Sequence, residues 1–252
     1  LFVPLASSFF PFHIDFVRGT GLFIALGSSL AAAPHLLGKN LASIKLVLPT
    51  ALVASAFAVV GAFFGLWLSA LNPAYIQGSL GVTIIGIVFI MLFAKDSEHP
   101  SVDGGNYLTQ MLHISGIYQE ETTGKEVSWT VHNTGKGLFC FVFVGLLAGI
   151  FGLGAGWANV PILNMIMGAP VKVAVATSGL ALSVTDSTAA WIYLNKGAVL
   201  PMITVPSLVG IMLGARIGSK LLPKVKPAAV RYIVISVLFL AGVRSIMKAF
   251  GY

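Results

Sequence analysis

Seven long apolar runs, at about residues 20–37, 46–71, 76–94, 137–152, 172–194, 198–217 and 228–247, set the terms on which this chain can fold. Roughly 20 residues of helix cross the hydrocarbon core of a bilayer, so most of these runs, here called A to G, are long enough to span it. In lipid only helices and closed barrels satisfy their own backbone, and the runs lack the period-two alternation of barrel strands. The expected fold is therefore an all-α integral membrane bundle. Composition agrees: of 252 residues, 57% are hydrophobic and 9% charged, whereas a water-facing surface needs about a quarter to a third of its residues charged. A soluble globule is excluded.

The few charges are unevenly placed. Residues 95–136 hold six acids (Asp96, Glu98, Asp103, Glu120, Glu121, Glu126) and three lysines, while the rest of the chain carries twelve basic residues and two acidic ones. Basic loop ends beside anionic lipid account for a pI near 9.6 better than nucleic acid does, because no basic stripe with interleaved aromatics is present. The single cysteine, Cys140, excludes a disulfide framework within one chain and a cysteine-cluster metal site. His13, His35, His99, His113 and His132 have no metal-partner spacing. No Ser-His-Asp set, paired catalytic carboxylates or phosphate loop is present, so no enzyme and no cofactor are expected.

After run D come Gly152-Leu153-Gly154-Ala155-Gly156-Trp157-Ala158-Asn159-Val160-Pro161. Glycine costs about 1 kcal/mol and proline about 3 within a helix, relative to alanine. A break over 152–161 is expected, with a new helix starting near Asn159 or Pro161. Irregular backbone at membrane depth is tolerated only where protein buries it or where it lines a polar cavity. An internal repeat frames this break. At an offset of 157 residues Val3-Pro4-Leu5 matches Val160-Pro161-Ile162, Thr20 matches Thr177 and Pro49 matches Pro206. Past a small gap, Gly61-x-x-x-Gly65 matches Gly214-x-x-x-Gly218, and Asn72-Pro73-Ala74 matches Lys226-Pro227-Ala228.

Runs A, B and C thus correspond to E, F and G. The chain divides into a first repeat at 1–94, a polar cytoplasmic loop at 95–136 that has room for a short hairpin, and a second repeat at 137–252. The counterpart of the glycine loop would precede Leu1, so the first repeat is expected to lack its N-terminal part. Placing Lys39 and Lys45 on the cytoplasmic side puts the acidic loop with its lysines, Lys172, and Lys220, Lys224 and Lys226 there too, with Lys196 outside. On that topology A runs inward and E outward, so the repeats are inverted, the plan of many secondary transporters.

Each conspicuous residue has a structural and a functional reading. Gly152, Gly154 and Gly156 either let helices approach, or expose amides at a helix N-terminus that suits an anion. Asn159 sits beside those amides. Thr177, Ser178 and their repeat mate Thr20 are either capping hydroxyls or donors to an oxyanion. Gly61, Gly65, Gly210, Gly214 and Gly218 read as packing positions. Asp186, the one carboxylate inside an apolar run, marks an ion or proton path, pairs with Arg216 or Arg244, or lies near a wet face. Arg216 reads as a snorkelling side chain. Trp67, Trp157, Trp191 and Tyr193 read as interface or core aromatics.

Gly152-x-Gly154-Ala155-Gly156 with Val160-Pro161 and Ala174-Val175-Ala176-Thr177-Ser178 resembles the glycine loop, proline and downstream threonine-serine of the sulfite exporter TauE/SafE family. Gly214-Ala215-Arg216-x-Gly218 resembles another recurrent element, and the paired halves resemble the family's duplicated organisation. Ala155 stands where a glycine is often found. The resemblance implies export or exchange of sulfite or sulfonates across the bacterial cytoplasmic membrane.

The residues by themselves supply an anion-friendly break. They leave open a membrane scaffold or assembly factor without transport, and a cation or proton carrier centred on Asp186. Expected partners are a small inorganic or organic anion, the lipid bilayer and a second copy of the chain, with no nucleic acid and no metal.

Overall fold

A computed structural model of the chain describes residues 2–9, 12–38, 42–93, 115–119, 126–154, 156–221 and 227–251. Helices α1 (Phe2–Phe9), α2 (Ile14–Gly38), α3 (Ile44–Leu71) and α4 (Pro73–Phe93) come first. A hairpin of β1 (Ser115–Gln119) and β2 (Glu126–Thr130) follows, then α5 (Thr134–Phe151). Next come α6 (Gly156–Pro161), which passes directly into a π-helical turn (Ile162–Ile166), α7 (Val171–Asn195), α8 (Pro201–Leu221) and α9 (Pro227–Ala249). The protein is an all-α membrane bundle, and α2, α3 and α5 each contain a stretch long and apolar enough to cross a membrane.

Run A was expected to begin at residue 20, but α2 starts at Ile14. The extension holds Asp15 and Arg18, whose side chains pair at 2.6 Å and so enter the helix nearly neutral together. Asp186 is consequently not the one carboxylate within a long helix. Prolines open α4, α8 and α9, where a missing N–H removes a donor that has no helical acceptor anyway.

Packing relies on small residues, as lipid offers no hydrophobic drive between helices. A methyl group on Gly61, Gly65, Gly145 or Gly149 would run into backbone of the facing helix, so α3 and α5 pack with their main chains in contact. Among the described residues nothing comes within 4 Å of a methyl group placed on Gly210 or Gly214, against the packing role expected of them; the contacts of Gly218 and the side chain of Arg216 lie outside what the structure describes. Of the polar loop, the hairpin is present, pairing Gly116 with Trp129. The buried Trp129 ring, with Val131, joins a core of Phe141, Leu163 and Met167. Lys95, Asp96, Glu98, Asp103, Glu120, Glu121 and Lys125 of the loop, with His99 and His113, lie outside the described residues, as do the side chains of Glu126, His35 and Trp157, whereas Lys136 is exposed in the first turn of α5.

Contacts also give helix directions. Arg18 meets Tyr193, and seven residues on Ala25 meets the Gly154–Asp186 pair, so α2 and α7 are antiparallel. Gly19 lies on Ala198 and Gly27 on Leu208, making α2 and α8 parallel. Gly78 touches Ala249 and Gly81 touches Ile246, so α4 and α9 are antiparallel. Of the helix pairs matched in sequence, α2 therefore runs opposite to α7 and α4 opposite to α9. The matched residues fall at equal helix positions: Thr20 and Thr177 are seventh in α2 and α7, Pro49 and Pro206 sixth in α3 and α8.

Candidate functional site

The break after α5 is built by two glycines. Gly152 caps α5 in left-handed backbone (φ 64°), its amide donating to the Ala148 carbonyl at 2.9 Å, and Gly154 repeats the left-handed turn at φ 68°. L-residues pay about 1–2 kcal/mol for that conformation, so glycine belongs at both places. Helix resumes at Gly156, three residues before Asn159. The start expected near Asn159 or Pro161 is too late, because Gly156 has no positive φ and helix accommodates it. Pro161 has no N–H to give, and just beyond it the chain shifts to wider spacing, with Met167 N–H donating to the Ile162 carbonyl at 3.0 Å. Met167 packs on Gly137, and its carbonyl accepts from the His132 amide at 2.8 Å, so the 156–167 stretch returns to the level where α5 began. The result is a hairpin entering the bundle and leaving on the same side.

The corner of that hairpin faces polar atoms without partners. The position of a Cβ on Gly154 lies 3.4 Å from Asp186 Oδ2 and 3.1 Å from the Ala25 methyl. Asp186 is completely buried, and neither carboxylate oxygen has a hydrogen-bond partner. Asn159, on α6, is buried with its side-chain oxygen equally unpartnered. The proposed partner Arg244 instead lies over the Phe9 ring, 5.7 Å from its centroid, and a wet face is excluded by the burial. Gly156 lets α6 approach Leu182, one turn before Asp186 on α7.

The hydroxyls do not converge on one point. Thr177 and Ser178 are buried near the start of α7, where the Ser43 amide donates to Thr177 Oγ1 at 3.3 Å. Thr20 faces α8, its hydroxyl 3.2 Å from that of Thr204. On the α2–α7 register Thr20 is level with Trp191, which puts it about 21 Å from Thr177 along the helix axis. The break lies between them, about 7 Å along α2 from Thr20 and about 13 Å along α7 from Thr177.

Sequence reasoning missed the strongest charge cluster. Arg18 is completely buried. Its guanidinium donates to Asp15, to the Gly65 carbonyl and to the Tyr193 hydroxyl, and lies 5.1 Å from the Tyr193 ring centroid. Tyr193 in turn donates to the Gly149 carbonyl at 3.0 Å. The cluster ties α2, α3 and α7 to the end of α5, and the Arg18 backbone floors the turn at Gly152. The available signal was the i, i+3 spacing of Asp15 and Arg18 just ahead of an apolar run. A separate cavity of about 410 Å³ is lined by Phe12, His13, Ile14, Pro73, Ala74, Gln77 and Lys248. Beside it, Gln77 donates to the Ser7 carbonyl and the Ser245 hydroxyl at 3.1 Å each, pinning α1 between α4 and α9. Among the described residues no group of three or more His, Cys, Asp or Glu could hold a metal.

Residues 1–245 match the sulfite exporter TauE/SafE family. The chain belongs to that family. It is also similar to a probable membrane transporter protein of Methanocaldococcus jannaschii, 25% identical over 243 residues that cover 92% of this chain and 79% of the relative. A probable membrane transporter protein of Bacillus subtilis is 30% identical over 105 residues, 42% of this chain and 38% of that protein. No solved structure gives a significant match. As a TauE/SafE family member the chain is a multi-pass membrane transporter rather than an enzyme.

Proposed function

We propose that this chain is a secondary carrier of small sulfur-containing anions, such as sulfite or organosulfonates, working as two inverted repeats whose first lies in residues 1–94 and second in 137–252. The opposed directions of α2 and α7 and of α4 and α9, and the equal helix positions of Thr20 with Thr177 and of Pro49 with Pro206, support the inverted plan. Such a plan lets one half rock against the other around a fixed site.

The observation that carries the reading is the break between Gly152 and Gly156, where Gly152 and Gly154 are buried. The first amides of a helix have no intrahelical acceptor, and their dipoles favour negative charge. An anion satisfies the amides from Gly154 to Asn159. Gly152 and Gly154 supply the turn, Gly156 the close approach, and Asn159 its backbone amide. Thr20 on one side of the break, and Thr177 with Ser178 on the other, act as hydroxyl stations along the path. Neutral donors hold an anion without fixing it, so it leaves again. The sulfur chemistry of the substrate rests on the family.

Uptake of radiolabelled sulfite and methanesulfonate into proteoliposomes tests this. The pair Thr177→Val and Ser178→Ala should lower the rate at least tenfold while the protein stays folded. Unchanged flux in that variant defeats the site. Absence of flux in the unaltered protein points to the scaffold reading, in which the glycines only pack helices.

A further inference from the structure

We propose that Asp186 carries a proton that moves together with the anion, making the transporter a proton–anion symporter. The inference rests on the anion site at the break and adds to it the ion that drives transport. Its ground is the placement of a carboxylate, fully buried and with both oxygens unpartnered, against the Gly154 corner of that site.

An ionised carboxylate stripped of water needs donors or a cation, and Asp186 has neither. Among the described residues, charged groups on the surrounding elements do not supply one. From α2 come Arg18 and Asp15, paired with each other at the level of Tyr193, about 10 Å along α7 from Asp186. On α3, Lys45 is exposed at the first turn, and Lys136 of α5 stands at the far end of that helix. Helix α6 offers only the neutral Asn159, whose own unpartnered oxygen is another acceptor. On α7 itself the ionisable residues Lys172 and Tyr193 lie toward the two ends, with Lys196 just past the last turn.

The environment therefore suits a neutral carboxylic acid. It also couples two events. An anion on the amides at Gly154 sits beside Asp186 and is repelled by a carboxylate but not by the acid. Anion binding and protonation favour one another, and by reciprocity each raises affinity for the other. A proton from water on one face joins the Asp186 carboxylate, crosses as its O–H, and returns to water on the other face when the anion departs. For a monovalent anion the loaded carrier moves no net charge.

The test uses the full chain in proteoliposomes with methanesulfonate, which stays ionised across the working pH range, and an entrapped pH dye. With the membrane potential clamped at zero, one pH unit should drive tenfold accumulation of methanesulfonate toward the alkaline side, with matching acidification there. Asp186→Asn should equilibrate the anion with no accumulation and no proton movement, and Asp186→Glu should restore coupling. Equilibration by the unaltered protein that ignores the pH gradient overturns the proposal while leaving the anion carrier intact, as does accumulation driven by sodium instead. No flux of methanesulfonate or sulfite removes the carrier reading itself and the proposal with it. Should Asp186→Asn fail to fold, infrared difference spectra of the unaltered protein decide the point. A protonated carboxylic C=O band that shifts in Asp186→Glu supports the proposal, and its absence across the transport pH range overturns it.

Discussion

Gly152 and Gly154 have nearly the same left-handed backbone, yet alanine at the two positions should have unequal consequences. At either one the methyl group costs about 1–2 kcal/mol for holding an L-residue in that conformation. At Gly154 the new methyl would lie 3.1 Å from the Ala25 methyl and 3.4 Å from Asp186 Oδ2, contacts that a few tenths of an ångström of movement relieve. At Gly152 it would lie 2.8 Å from the Arg18 Cα and 2.9 Å from its carbonyl carbon, and backbone inside a helix cannot swing aside. Overpacking of that kind adds about 1–3 kcal/mol, so Gly152→Ala should cost roughly 2–5 kcal/mol in all. For a chain of this size about 2–4 °C of melting temperature accompanies each kcal/mol. Thermal unfolding in detergent should show a modest loss for Gly154→Ala and a loss about twice as large or more for Gly152→Ala. Equal losses, or a larger one at Gly154, would refute the argument that the Arg18 backbone floors the turn.

Tyr193→Phe removes the hydroxyl that accepts from buried Arg18 and donates to Gly149, leaving the guanidinium with a further unsatisfied donor beside Nε, at a cost of about 1–3 kcal/mol by thermal unfolding. A melting temperature within 1 °C of the unaltered protein would mean that the cluster is not a structural tie. Gly149→Val should abolish the stable bundle, since its Cβ would lie 2.8 Å from the Ala62 amide nitrogen, whereas Gly214→Val, with nothing within 4 Å, should shift stability by no more than about 0.5 kcal/mol. Size-exclusion profiles after detergent extraction separate the two, and equal behaviour would remove the backbone-contact account of the α3–α5 seam.

Local chemistry was readable without coordinates. Glycine at 152 and 154 forecasts a break because the preference belongs to the residue itself, and both positions do take left-handed backbone. Apolar length forecasts helices in the same way, though α2 outruns its apolar stretch because one buried pair neutralises itself. Thr20 and Thr177, both read as candidate oxyanion donors, are not brought together by the fold. They match in the repeat and occupy equal helix positions, but antiparallel helices place equal positions at opposite ends.

By itself the sequence determined that this chain lives in lipid and that its backbone breaks after Phe151. Those outcomes follow from solvation and from conformational preferences that act over a few residues. Tertiary structure alone decided that Arg18 would find Tyr193, 175 positions away, and that Asp186 would face Gly154 with no donor in reach. Such pairings depend on which helix faces meet and in what register. Backbone-to-backbone contacts at small residues fix both, and no local preference encodes them.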